Sequence, residues 1–231
     1  MEFIKANSYE ELSKIASDII IKQLKEKTNS VLGLATGSTP LGTYKNLINA
    51  YKDNKISFKD VTTINLDEYL NLAPENPCSY RYFMNENLFN HIDINKENTF
   101  VPDGLNKNCI EFYKNLIKNN PIDLQILGLG LDGHIGFNEP ADKFSEYTHI
   151  ANLDKSTIEA NSRFFKSIDD VPTKAITMGI KEIMSAKKII LLVNSINKKE
   201  ILIKSMFENI TPFIPASILQ QHSNTTIVYC D

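Results

Sequence analysis

The run Ile-Leu-Gly-Leu-Gly-Leu-Asp-Gly-His-Ile-Gly-Phe-Asn-Glu-Pro at positions 126–140 decides how this chain reads. An apolar, strand-like segment breaks into glycines and then delivers Asp132, His134 and Glu139 within eight residues. Almost wholly apolar strands belong to buried parallel sheets, and in open α/β sheets ligands bind beyond the carboxyl ends of the strands. A histidine flanked by two carboxylates at such an end is suited to proton transfer, because the acids fix the imidazole tautomer and raise its basicity. Gly128, Gly130 and Gly133 also spell G-x-G-x-x-G. That fingerprint binds a dinucleotide only where a helix begins inside it and offers its N-terminus to the pyrophosphate. Gly136 and Pro140 interrupt any such helix, so no nicotinamide cofactor is expected.

Outward from this run, short segments rich in β-branched residues alternate with longer stretches of helical spacing. Strands are predicted at 31–34, 61–65, 124–129, 175–178, 189–193 and 226–229. The first helix is expected to start at Ser8, where Ser-Tyr-Glu-Glu forms a capping box ahead of Leu12, Ile15, Ile19 and Ile20. Further helices are predicted at 41–51, 79–89, 107–118, 156–164 and 198–207. The pattern is that of a single α/β domain over 1–231, Rossmann-like, with a mostly parallel sheet and helices on both faces. No repeat, low-complexity tract or linker marks a boundary. The segments 71–77, with Pro74 and Pro77, and 141–153 read as candidate lids.

The chain has 231 residues, 42% of them hydrophobic and 23% charged, with a net charge of −3, which is ordinary globular usage. Acids and lysines are interspersed, so neither nucleic acid nor an anionic membrane surface is expected as a partner. Cys78, Cys109 and Cys230 form no C-x-x-C pair, and an odd count suits a reducing compartment. With no apolar run near the roughly 20 residues that span a bilayer and no signal peptide pattern, the expected location is the cytoplasm.

Two more stretches carry chemistry. In Gly-Leu-Ala-Thr-Gly-Ser-Thr-Pro at 33–40, a strand feeds a small hydroxyl-rich loop in which Thr39 is placed to cap a helix and Pro40 to open it. Free N–H groups at such a helix start grip a phosphate, although an ordinary capped turn fits these residues equally well. In Thr-Thr-Ile-Asn-Leu-Asp-Glu-Tyr at 62–69, two acids follow a strand. Asp67 is the candidate general base, and Glu68 reads as a solvated loop carboxylate.

Taken together, Leu-Ala-Thr-Gly-Ser-Thr-Pro (34–40), Leu-Asp-Glu-Tyr (66–69), Leu-Gly-Leu-Gly-Leu-Asp-Gly-His-Ile-Gly-Phe-Asn-Glu-Pro (127–140), Ala-Asn-Ser-Arg-Phe-Phe (160–165) and Pro-Ala-Ser-Ile-Leu-Gln-Gln-His (215–222) resemble the glucosamine-6-phosphate deaminases, also called isomerases. Related 6-phosphogluconolactonases share the glycine turn and Asp-Gly-His but not the Gly-Phe-Asn-Glu-Pro continuation. The resemblance implies conversion of glucosamine 6-phosphate to fructose 6-phosphate with hydrolytic release of ammonia, in amino-sugar catabolism. A lactonase-like hydrolase and a catalytically dead sugar-phosphate sensor are the alternatives. A sensor would be expected to lack Asp67 or His134, and both are present.

By the same resemblance, Asp67 is the proton acceptor on carbon, His134 the ring-opening histidine, and Asp132 and Glu139 the acids that flank it. Thr36, Gly37, Ser38 and Thr39, with Arg163 and Lys198, match the phosphate-binding positions. Ahead of Lys198 the chain departs from the family pattern, with Ser195 where relatives commonly have Gly. No cofactor and no metal are implied. His91, His149 and His222 are read as surface or structural histidines. Hexameric members hold an effector, N-acetylglucosamine 6-phosphate, with a Ser, an Arg and a Lys after the Asn-Glu-Pro motif. This chain has Asp142, His149 and Ala151 there, and its end soon after the last strand resembles the smaller members. A monomer is therefore expected, with a homo-oligomer as the alternative.

Overall fold

A computed structural model describes residues 1–230. The chain begins with β1 (Glu2–Lys5) and α1 (Tyr9–Glu26), followed by β2 (Val31–Leu34), α2 (Leu41–Lys52) and β3 (Thr62–Asn65). Then come β4 (Asp67–Tyr69), α3 (Tyr80–Asn87), β5 (Thr99–Phe100), α4 (Cys109–Asn119) and β6 (Leu124–Gly128). The remainder comprises β7 (His149–Asn152), α5 (Lys155–Asn161), β8 (Lys174–Thr177), α6 (Ile180–Met184), β9 (Ile189–Asn194), α7 (Lys199–Phe207) and β10 (Thr225–Cys230).

Seven strands form the main sheet in the order β1-β10-β9-β6-β2-β3-β5, and every neighbouring pair in it is parallel. Parallel strands are buried on both faces, which is why β6 and β9 read as continuous apolar runs. Crossovers through α1 and α2 move across the sheet one way and those through α4 and α7 the other. Right-handed crossovers then place the two pairs on opposite faces, giving the expected α/β architecture. Neighbours β2 and β6 lead onward in opposite directions, so the crevice between their carboxyl ends is the sheet's switch point.

One strand departs from expectation. The segment predicted at 175–178 is not a parallel core strand; β8 is the centre of a second, three-stranded antiparallel sheet, β4-β8-β7. Its Ala175 is buried in a separate cluster with Tyr69 and Phe137 while Ile176 packs into the main core, a setting with the same local composition as a central strand. The strands β4 and β5, of three and two residues, are too short for a period to show, and β1 (EFIK) and β7 (HIAN) are mostly exposed and lack an uninterrupted apolar run. The segment 141–153 contains β7 and is thus partly sheet. The segment 71–77 is tied by hydrogen bonds from Asn71 N to Gly104 O (3.0 Å) and from Ser79 Oγ to Pro74 O (2.9 Å).

Ser8 caps α1 as expected, its Oγ accepting from Glu11 N at 3.2 Å. The reciprocal half of the box is displaced by one residue, since Glu11 Oε2 accepts the Asn7 N–H at 2.7 Å instead.

Candidate active site

The sequence-predicted site residues follow the carboxyl ends of main-sheet strands: 36–39 after β2, Asp67 after β3, Asp132, His134 and Glu139 after β6, and Lys198 after β9, with Arg163 near Lys198. The turn after β6 is built on glycines for two separate reasons. Gly133 and Gly136 have φ of +89° and +59°, a region that side chains disfavour. Gly130 needs no such φ, but a Cβ there would lie 2.4 Å from the His134 ring. The imidazole therefore rests directly on backbone, and Gly130 N donates to His134 O at 2.9 Å.

Both acids meet the same ring nitrogen. His134 Nδ1 lies 2.7 Å from Asp132 Oδ1 and 3.4 Å from Glu139 Oε2, as close charge contacts without the alignment of a formed hydrogen bond. Asp132 Oδ1 also accepts the His134 backbone N–H at 3.1 Å. With Nδ1 committed to carboxylates, Nε2 is left to exchange a proton with a ligand. Burial alone would lower the imidazole's basicity, but Asp132 and Glu139 outweigh it and raise the pKa to about 9. In turn, burial would raise Asp132, and the facing His134 holds it below the ordinary carboxylate range. These three ligand-type atoms lie within 4.8 Å of one another, close enough to suggest an ion site. The 2.7 Å separation of Nδ1 and Oδ1 is nevertheless shorter than the roughly 3.3 Å between two ligands of a tetrahedral zinc with bonds near 2.0 Å.

Asp67 begins β4, where the chain leaves the main sheet through Leu66. Leu66 N donates to Leu34 O at 3.1 Å in one sheet, and Leu66 O accepts from Met178 N at 2.8 Å in the other. Asp67 thus stands where the two sheets meet, opposite Thr177 in the β4-β8 register. It is 7% exposed. Burial, then the charge of Glu68, push its carboxyl up to about 8, with His134 pulling the other way. Gly136 lets the turn approach Asp67 closely: the position of its absent Cβ is 3.4 Å from Asp67 Oδ2 and 3.0 Å from Thr177 Oγ1. The turn is locked by Phe137 N donating to Thr177 Oγ1 (3.1 Å) and by Asn138 Nδ2 donating to Met178 O (2.8 Å).

Glu68 corrects the reading of a solvated loop acid. It is 2% exposed and accepts the backbone N–H groups of Tyr69, Tyr80 and Arg81, each at 2.9 Å. The last two are orphan donors at the start of α3, so Glu68 caps that helix from a neighbouring strand. Burial raises its pKa to about 7 against those donors.

The loop 36–39 bends at Gly37, φ +89°, and enters α2. Thr39 does not cap this helix; Pro40 occupies the cap position, and the Thr39 hydroxyl donates to Asn194 Oδ1 at 3.0 Å. Tyr9 supplies what Thr39 was expected to give. Its hydroxyl accepts from Gly42 N at 2.8 Å and donates to the carbonyls of Ser38 (3.0 Å) and Thr39 (3.2 Å). Nothing near Tyr9 in the sequence signals this, because the partners are about thirty residues away. Asn194 ends β9 and ties the loop to the strand leading to Lys198. Lys198 Nζ, mostly buried, donates to Leu129 O. Burial and the nearby Arg163 guanidinium both lower its pKa, while Asp132 raises it. Two cations brought this close together are chemically suited to a dianion.

The remaining histidines each meet an oxygen of the protein. His91 Nε2 meets Glu86 O (2.7 Å), His149 Nδ1 meets Tyr147 O (2.9 Å), and His222 meets Thr225 Oγ1 (3.0 Å) and Ala186 O (2.8 Å).

Known proteins resemble this chain over its whole length. The family model described as glucosamine-6-phosphate isomerases/6-phosphogluconolactonase matches residues 5–228. A glucosamine-6-phosphate deaminase of Lachnoclostridium phytofermentans is 55% identical over 100% of this chain and 99% of that protein. The solved structure of a monomeric glucosamine-6-phosphate deaminase superposes with a TM-score of 0.97 at 43% identity, covering 100% of this chain and 97% of the other. A 6-phosphogluconolactonase from Plasmodium vivax is more distant, with a TM-score of 0.72 at 26% identity over 99% of this chain and 90% of its own. The chain belongs to the glucosamine-6-phosphate isomerase/6-phosphogluconolactonase family.

Proposed function

We propose that this protein converts glucosamine 6-phosphate and water into fructose 6-phosphate and ammonia. One observation carries the reading: a buried, proton-hungry Asp67 and the carboxylate-bound His134 flank the same Gly136 turn. A lactonase needs a base for water and has no use for a second, separately tuned base aimed at carbon. Deamination needs both.

In this mechanism the substrate phosphate rests on the 36–39 loop, Arg163 and Lys198. His134, charged and oriented through Nδ1 by Asp132 and Glu139, gives a proton to the ring oxygen at Nε2 and recovers one from the anomeric hydroxyl. Asp67 then takes the proton from the amino-bearing carbon of the open chain and returns it to the former aldehyde carbon. The resulting ketimine is hydrolysed and ammonia leaves. Burial is what makes Asp67 basic enough for carbon, as in other enzymes that tune a carboxyl upward. We assign the protein to the cytoplasm because its substrate is a phosphorylated metabolite, and to a monomer by likeness to the monomeric deaminase.

Purified protein should release ammonia from glucosamine 6-phosphate and leave 6-phosphogluconolactone at its spontaneous rate of hydrolysis. Rapid hydrolysis of the lactone without ammonia from the amino sugar would overturn the reading.

A further inference from the structure

Glu139 is held from outside the histidine cluster. Its Oε1 accepts a hydrogen bond from Thr157 Oγ1 at 2.8 Å, while its Oε2 is buried, lacks an aligned donor and faces His134 Nδ1 at 3.4 Å. A Glu carboxylate turns freely about its last bond. Fixing one oxygen therefore aims the other. Thr157 is 5% exposed and lies on α5, whose continuation, a short helical turn over Ser162–Phe164, carries Arg163. Just beyond, the ring of Phe165 meets Tyr69 of β4 edge-on, with centroids 5.6 Å apart. One stretch of chain thus touches Glu139, carries a phosphate-site cation and packs on the strand of the carbon base.

We infer that Thr157 is a positioning residue for ring opening: its hydroxyl aims Glu139 at His134 and fastens that carboxylate to the segment that brings Arg163 to the phosphate. The part about ring opening rests on the deaminase reading above. The aim of the carboxylate does not, and it can be measured without substrate.

Thr157→Val keeps the shape and removes the donor, leaving a buried carboxylate oxygen unpaired. Hydrogen bonds to charged groups are strong enough that kcat/KM for cyclic glucosamine 6-phosphate should fall roughly 10- to 100-fold. An analogue supplied open-chain should lose less than about threefold, since it bypasses His134. Thr157→Ser, which keeps the hydroxyl, should stay within about twofold of wild type.

The substrate-free readout is the His134 imidazole followed by NMR through a pH titration. Asp132, Glu139 and Asp67 face this ring, with Lys198 and Arg163 beyond Asp132. In Thr157→Val the freed Glu139 no longer holds Nδ1, so the imidazole should titrate at lower pH than in wild type or Thr157→Ser. If the valine variant does not fold, Thr157→Ala removes the same donor and is read the same way. An unchanged titration, or Thr157→Ser as impaired as Thr157→Val, overturns the inference. A shifted imidazole in a protein that releases no ammonia would sink the deaminase reading and leave the positioning role standing. An active wild type with an unshifted variant would do the reverse.

Discussion

At the residue scale, the site depends on two positions where chemistry and stability oppose each other. Asp67 is held in the fold with a pKa near 8 against 3.8 for an ordinary aspartate. Because the folded value is raised, the contribution of the protonated acid to stability is full below about pH 4 and is lost as pH rises through about 8. Asp67→Asn carries no charge at any pH. It should cut turnover by at least about 10² and yet raise Tm, more at pH 9 than at pH 5; equal or lower Tm at pH 9 would contradict the burial account. Gly130 gives the complementary case. Ala fits its backbone, but the new Cβ would stand 2.4 Å from the imidazole, so Gly130→Ala should displace His134 and lower turnover by about 10² or more, for a stability cost of only about 1–3 kcal/mol. Turnover near that of wild type would mean the imidazole position is unimportant. The two groups also set a pH profile: kcat/KM should rise as Asp67 loses its proton near 8 and fall as His134 does so near 9.

At the element scale, the opposite end of the sheet is fastened by one buried acid. Asp123, just before β6, accepts from Lys27 Nζ (2.5 Å), Lys187 Nζ (2.8 Å) and Val31 N (2.8 Å), joining the ends of α1, β2 and β6 to the approach to β9. Burial pushes its pKa up, but Lys187, Lys27 and the Val31 N–H prevail and lower it. A depressed folded pKa gives stability that is present above the unfolded value and lost as pH falls through the folded one. Asp123→Asn should therefore cost about 1–3 kcal/mol at pH 7, a deficit that shrinks toward acid pH; a constant deficit would show that charge is not the cause. The main-sheet strands at 31–34 and 189–193 were legible because burial on both faces leaves an uninterrupted apolar run. The second sheet was not, since β4 and β7 are short and β8 has the composition of a core strand. Sequence separation hid the rest of the site. Tyr9 serves α2, Glu68 serves α3 and Thr157 serves Glu139, and each partnership forms only once the chain has folded back on itself.

At the scale of the whole molecule, a parallel sheet delivers its strand ends to one edge, so motifs that follow β2, β3, β6 and β9 in a sequence running from Thr36 to Lys198 lie on the same side of it. A cavity of about 300 Å³ lies behind Glu139, bordered by Lys143, His149 and Asp154 among others. The resemblance implies that Asp142, His149 and Ala151 stand where hexameric members hold an effector phosphate, and neither an acid nor an alanine holds one. Light scattering should report a monomer, and rates should be hyperbolic in substrate and indifferent to N-acetylglucosamine 6-phosphate; sigmoidal rates relieved by that sugar would contradict this. The claim on which everything else rests is that Asp67 moves a proton between adjacent carbons of the sugar. Running the reaction in deuterium oxide and following the substrate's second carbon and the product's first carbon by NMR tests it directly. Wild type should exchange or incorporate deuterium at those carbons while releasing ammonia, and Asp67→Asn should bind substrate without doing either. Ammonia release and deuterium incorporation by Asp67→Asn at the wild-type rate would contradict it.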